Sequence, residues 1–313
     1  MTPIRLLFVS NSDSKSAWKQ RLGALDSSIE VRLWPDAGTL DEIEAALVWK
    51  PPAGLMAKLT RLKLILSLGM GVDHIFADPL LPKHVPIARL IDPDLINRMS
   101  EYCALAVLRY HRSADTYDAF QREHRWKALA NEPAAASRRV GILGMGEIGR
   151  DLAGKLAPFG FRLAGWSRSP KRMPGIEGFH GAAGFKPFLA RSEIVVCLLP
   201  LTPETEGILN AEAFAALPKG AVVVNAARGG HVVEADLIAA LDRGHLSAAQ
   251  LDVFRQEPLP KDHPFWAHPK IRITPHNAGV TNPDTAAAQV VENLRRVRAG
   301  EKLLNIVDPA RGY

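Results

Sequence analysis

Short apolar runs alternate with mixed or amphipathic stretches along the whole chain. Residues 4–9, 30–34, 45–49 and 64–67 are apolar or β-rich runs, separated by amphipathic or loop-like segments such as 14–25 and 53–61. Runs of that length between helix-period segments predict parallel βα units. This first series ends near residue 98, after the proline-marked stretch from Pro79 to Pro93. A helix is expected over about 99–122, carrying Leu105 and Leu108, and an alanine-rich loop over 128–137. A second series then opens at Arg139, with strands expected at 139–143, 162–166, 194–198, 221–225, 247–252 and 271–274. A last helix, roughly 284–299, is expected to cross back to the first series. The pattern predicts an α/β chain of two parallel-sheet domains, one Rossmann-like and one flavodoxin-like. The expected boundaries are 1–98 plus 284–313 for a discontinuous domain and 99–283 for the other.

Composition narrows the class without naming a function. The 313 residues suit two cores better than one, and 47% apolar with 23% charged residues is ordinary for a globular chain. No run of about 18 uncharged apolar residues predicts a membrane span. The first ten residues read as a buried strand rather than a leader, and two cysteines, Cys103 and Cys197, are too few for a disulfide framework. A reducing cytoplasm is the expected compartment. The net charge of +6 raises a nucleic-acid reading, but the basic residues are scattered, without aromatic interleaving or a basic tail. They read as a solvated surface with a few sites for small anions.

The strand ending at Leu143 runs into Gly144-Met145-Gly146-Glu147-Ile148-Gly149, with a helix-like segment behind it. In that setting the glycines serve a dinucleotide: Gly144 for the tight turn, Gly146 for close approach of a pyrophosphate, Gly149 for helix–strand packing. The next strand ends in Ser167-Arg168-Ser169-Pro170-Lys171-Arg172. An NAD-selective site would carry a carboxylate there for the ribose diol. A small hydroxyl followed by Arg168, Lys171 and Arg172 instead favours a 2′-phosphate, hence NADP(H); the other reading of Arg168 is a solvated turn residue.

Three later strand ends carry an Arg, a Glu and a His. Arg228 follows 221–225, Glu257 follows the segment Leu251-Asp252-Val253-Phe254, and His276 follows Ile273-Thr274-Pro275. Carboxyl ends of parallel strands are where open α/β sheets bind ligands. Reduction of a 2-oxo acid needs a cation for the carboxylate, a proton donor for the developing alkoxide and a source of hydride. Arg228 suits the first, His276 the second, and Glu257 would orient the imidazole. Asp252 reads either as buried structure or as a partner for a nicotinamide amide. No metal enters this assignment.

These residues resemble the D-isomer-specific 2-hydroxyacid dehydrogenases, and more narrowly their glyoxylate- and hydroxypyruvate-reducing members. The resemblance covers nearly the whole chain. It rests on Ala46-Leu47-Val48-Trp49, Gly69-Met70-Gly71-Val72-Asp73, the glycine turn, Trp166-Ser167-Arg168, Glu257-Pro258-Leu259-Pro260 and Thr274-Pro275-His276. It implies NADPH-dependent reduction of glyoxylate to glycolate and hydroxypyruvate to D-glycerate, with Arg228 binding substrate, Glu257 supporting the base and His276 as acid–base residue. It further implies a substrate carboxylate held by the backbone N–H groups of Gly71 and Val72, with Met70 among the substrate-binding residues. Cofactor contacts would fall at Met99, Leu199, Pro200, Thr205, Ala226, Ala227, Asp252 and Gly279, with an active site in the cleft between the domains and a homodimer that uses the 99–122 helix. Asn277-Ala278-Gly279 departs from the more apolar residues common in that subgroup, which puts the cofactor contacts there in doubt. Trp49 and Trp126 read equally as pocket wall or as core. The alternatives are a dehydrogenase for a bulkier 2-oxo acid and a dinucleotide-sensing, corepressor-like binding protein.

Overall fold

The computed structural model describes residues 3–313. They divide into two compact units, one running through Leu95 and resuming at Val280–Tyr313, the other spanning Ile96–Gly279. The boundaries thus fall a few residues before the expected 98/99 and 283/284.

The first unit holds β1 (Ile4–Val9), β2 (Ile29–Leu33), β3 (Ala45–Val48), β4 (Leu64–Ser67) and β5 (Ile87–Arg89) in one sheet of order β2-β1-β3-β4-β5. All its pairings are parallel. In β1, Ile4, Leu6 and Phe8 enter one buried cluster while Leu7 and Val9 enter another, so both faces of the sheet are covered. That two-sided burial explains why the strands read as continuous apolar runs and not as alternating ones. The helix Pro283–Ala299 buries Ala286, Ala287, Val290 and Leu294 in the first of those clusters, beside Trp18 and Leu22 of the helix Lys15–Leu25. The three-residue β5 escaped the sequence reading because it is too short to carry a period. It exists by pairing with β4 and by a bridge from Ala88 to Ile306.

The second unit contains β6 (Arg139–Leu143), β7 (Arg162–Ser167), β8 (Glu177–His180), β9 (Ile194–Cys197), β10 (Ala221–Asn225), β11 (Leu246–Leu251) and β12 (Ile271–Ile273). Their order is β12-β11-β10-β9-β6-β7-β8, again all parallel. Six strands were expected; the seventh, β8, is a mostly exposed edge whose sequence Glu-Gly-Phe-His has no strand signature. The chain order reverses between β6 and β9, which makes the carboxyl edge there the switch point where doubly wound sheets bind ligands.

The expected helix over 99–122 is two helices, Pro93–His111 and Ala114–Arg122, parted at Ser113 with φ of +53°. The first of them starts at Pro93, six residues before the apolar pattern predicts. Proline is at home in the first helical position, and Asp92 accepts a hydrogen bond from the Leu95 N–H at 3.3 Å, a start signal the apolar pattern did not carry. Among the described residues no helix is long and apolar enough to cross a membrane.

Candidate active site

The turn after β6 has the form its glycines predict. Gly144 sits at φ of +102°, where a Cβ would come within 2.7 Å of the Leu198 carbonyl oxygen. A Cβ on Gly149 would lie 2.0 Å from the Gly144 oxygen, so any side chain there forces the turn open. At Gly146 a Cβ would meet nothing within 4 Å. Gly146 also caps the helix Glu147–Leu156 without a side-chain hydrogen bond. The space beside Gly146 is open at the positive end of a helix, which is where a pyrophosphate would sit. The residues present fit a dinucleotide.

At the end of β7, Ser167 is buried and donates to the Ser169 carbonyl at 2.8 Å, while Arg168 and Ser169 are exposed. Lys171 reaches back and donates from Nζ to the Met145 carbonyl at 2.7 Å. Partial burial, with Arg150 nearby, lowers its pKa. The predicted phosphate cation thus also braces the glycine turn. Thr205 is committed to its own loop, donating to the Pro200 carbonyl at 2.7 Å and accepting from the Thr202 N–H at 2.9 Å.

Arg228, Glu257 and His276 follow β10, β11 and β12, three neighbouring strands of one sheet. Arg228 lies in extended backbone, its carbonyl held by Asn225 Nδ2 at 2.9 Å and its Nη1 donating to the Ala227 carbonyl at 2.8 Å. Gly229 beside it packs so close to the β11 loop that a Cβ would stand 1.9 Å from the Phe254 carbonyl carbon. The Arg loop and the Glu loop are thereby fixed against each other.

The Glu257 carboxylate is held at both ends. Oε1 accepts the Phe254 N–H at 3.1 Å, and Oε2 lies 2.8 Å from His276 Nδ1. A carboxylate only accepts, so Nδ1 carries the hydrogen and Nε2, on the far side of the ring, is the atom placed for proton exchange. Both side chains keep limited solvent access, 26% for His276 and 16% for Glu257. The backbone of His276 adopts φ of +52°. A left-handed conformation at a non-glycine residue costs about 1–3 kcal/mol and persists only where surrounding bonds enforce it.

Asp252 is one such enforcer. It is 1% exposed, and its backbone carbonyl accepts the His276 N–H at 2.8 Å. Its carboxylate accepts the N–H groups of Asn277 and Ala278, each at 3.0 Å, and the Thr274 hydroxyl at 2.6 Å. These bonds make Asp252 a buried structural tie.

The 69–72 turn belongs to the first unit. The Ser67 hydroxyl donates to the Gly71 carbonyl at 2.9 Å and stands 3.2 Å from His74 Nε2. The Trp49 ring lies 4.4 Å from that of His74, centre to centre, and fills the space a Cβ on Gly69 would need. Trp49 also packs against the core of this unit. Trp126, by contrast, is fully exposed and lines no core of its unit. Sequence reasoning missed Tyr102, whose hydroxyl lies 2.7 Å from Thr274 Oγ1, and His231, which is buried with Nδ1 3.1 Å from the Arg228 carbonyl. A histidine directly after the Arg-Gly-Gly string was a usable signal; nothing in the sequence ties residue 102 to residue 274.

Comparison with known proteins gives the family. The family model described as D-isomer specific 2-hydroxyacid dehydrogenase, NAD binding domain, matches residues 104–278. The chain is 42% identical over 304 residues to glyoxylate/hydroxypyruvate reductase A of Yersinia enterocolitica, covering 94% of this chain and 96% of that one. Among solved structures, a D-isomer specific 2-hydroxyacid dehydrogenase from Xanthobacter autotrophicus in complex with NADPH and MES is 47% identical. It superposes with a TM-score of 0.94 over 99% of this chain and 100% of its own. The NADPH-dependent glyoxylate/hydroxypyruvate reductase of Sinorhizobium meliloti, in complex with NADP and sulfate, is 38% identical with a TM-score of 0.92, covering 99% and 100%.

Proposed function

The chain belongs to the D-isomer specific 2-hydroxyacid dehydrogenases, and from that premise we propose that it reduces small 2-oxo acids, glyoxylate and hydroxypyruvate among them, with NADPH. The observation that carries the reading is the 2.8 Å contact between Glu257 Oε2 and His276 Nδ1, on strand ends adjoining the one that bears Arg228. Relatives that act on these substrates, and similar structures that hold NADPH or NADP, support it.

The reaction adds a hydride to the carbonyl carbon and a proton to its oxygen; NADPH, when bound, supplies the hydride. His276 delivers the proton from Nε2, and the negative charge of Glu257 steadies the ring as its charge changes. Arg228 pairs with the substrate carboxylate in a bidentate, charge-assisted contact and draws electron density from the carbonyl. Backbone N–H groups of Gly71 and Val72 are proposed as further carboxylate donors, with Met70 and Trp49 beside them. Residues 96–279 are the proposed NADP-binding domain, with its phosphates on the 144–149 turn and the 2′-phosphate at Arg168. The other unit is the proposed substrate-binding domain.

The test is NADPH oxidation, followed by absorbance, across glyoxylate, hydroxypyruvate, pyruvate and bulkier 2-oxo acids. NADPH should outperform NADH in kcat/KM, and Arg168→Ala should narrow that preference by about tenfold, the loss of one exposed charge-assisted contact. Greater efficiency with NADH in the parent enzyme would overturn the cofactor assignment; best turnover of a bulky acid would overturn the substrate class.

A homodimer is proposed as the working assembly. The helix Ala114–Arg122 buries none of its residues within its own unit, and Leu105 and Trp126 on either side of it are exposed at 63% and 101%. Exposed large apolar side chains such as these suit a subunit interface. Light scattering is expected to give about twice the chain mass, and Trp126→Glu with Leu105→Glu to reduce it to one; a single-chain mass for the parent would refute the proposal.

A further inference from the structure

We propose that Tyr102, acting through Thr274 and Asp252, is a positioning residue for His276, holding the backbone on which the imidazole is aimed. This rests on the reading of His276 as the proton donor. Direction along the chain of hydroxyls follows from what each group can do. Asp252 is buried and its carboxylate only accepts, so Thr274 Oγ1, 2.6 Å away, spends its single hydrogen there. Tyr102 Oη, 2.7 Å from the same Oγ1, must then be the donor. Burial pushes the Tyr102 phenol up to about 12, which keeps that donor proton in place at any working pH.

At the other end, the Asp252 carboxylate takes two consecutive N–H groups, those of Asn277 and Ala278. Successive N–H groups converging on one anion make a concavity, and here it is the residue just before it, His276, that is left-handed at φ of +52°. Thr274 meanwhile also accepts the His276 N–H on its backbone oxygen at 3.1 Å. The unfavourable backbone of the acid–base residue is thus fixed by one carboxylate, one hydroxyl and one phenol. Tyr102 comes from the helix Pro93–His111 rather than from the loop it holds. Rigid support from a regular element is how a reacting side chain is kept in register. Loss of that register by a fraction of an ångström is read in turnover more than in substrate affinity.

The experiment compares the full-length enzyme with Tyr102→Phe, Thr274→Val and Thr274→Ser. Each is assayed per NADPH-binding site and followed by amide hydrogen exchange of the peptide covering 275–279. Thr274→Val should lower kcat by about tenfold with KM for the 2-oxo acid within about twofold, and Thr274→Ser should recover most of the loss. The gentler Tyr102→Phe, which removes one oxygen, should lower kcat by about threefold. In Val and Phe variants exchange at 277–278 should quicken while the rest of the chain is unchanged. Parent kcat with parent exchange at 277–278 in Tyr102→Phe overturns the proposal, whether or not Thr274→Val folds. A loss that appears in KM alone, or that Thr274→Ser fails to recover, overturns it too. His276→Ala run alongside separates the two claims: an active His276→Ala defeats the proton-donor reading, whereas an inactive one beside normal Tyr102→Phe defeats only this one.

Discussion

Replacing His276 with alanine is expected to lower kcat by about 10²–10⁴-fold, the range general acid catalysis contributes, while NADPH still binds. The size follows from where the proton must go. Hydride arrival leaves an alkoxide in a partly enclosed site, and without a positioned donor its charge must wait for water. The imidazole is placed by two anchors, Glu257 at Nδ1 and the Asp252-held backbone, so its loss removes a pre-oriented group that no neighbour replaces. Because the glycine turn after β6 is untouched, a fluorescence titration with NADPH should return nearly the parent dissociation constant. Glu257→Gln is the milder companion. The 2.8 Å partner survives as an amide, but its charge is gone, so kcat should fall less than for His276→Ala. A parent-like turnover number in His276→Ala would end the assignment.

Arg228→Ala should reduce kcat/KM for 2-oxo acids by about 10²–10³-fold, comparable to removing a transition-state donor in a screened site. Two features give the guanidinium its value. Its loop is fixed by the Asn225 bond to its carbonyl and by Gly229 packed on Phe254, so little order is lost on binding. Its planar fork also matches a carboxylate, which a lysine does not, so Arg228→Lys should recover only part of the loss. A 2-oxo compound whose carboxylate is replaced by a neutral amide should be a poor substrate for the parent enzyme and nearly indifferent to the substitution. Wild-type efficiency in Arg228→Ala, or equal loss on the neutral amide, would refute carboxylate recognition by this residue.

Much of the fold could be read from the chain because parallel strands buried on both faces must be apolar throughout. β1, β4, β6 and β10 announce themselves that way, with the observed and expected ends agreeing to within a residue. β5 and β8 do not, since a three-residue strand and an exposed edge take their structure from the neighbour they pair with. The break at Ser113 was hidden for a similar reason. Apolar spacing continues across it, and only the backbone at φ of +53° marks where one helix ends and another begins.

Sequence alone determined the residue types at the strand ends: the glycine turn, the hydroxyl and cations after β7, and an Arg, a Glu and a His after β10, β11 and β12. Local covalent order suffices for these, because a strand followed by a given loop presents that loop at one sheet edge whatever the rest does. Only the tertiary structure decided which atoms meet. It set Nδ1 of His276 against Glu257, turned Lys171 back onto Met145, and made Asp252 a buried tie that links Tyr102 to the histidine loop. Such pairings join residues up to 172 positions apart, and they arise from packing distances that no sequence interval encodes.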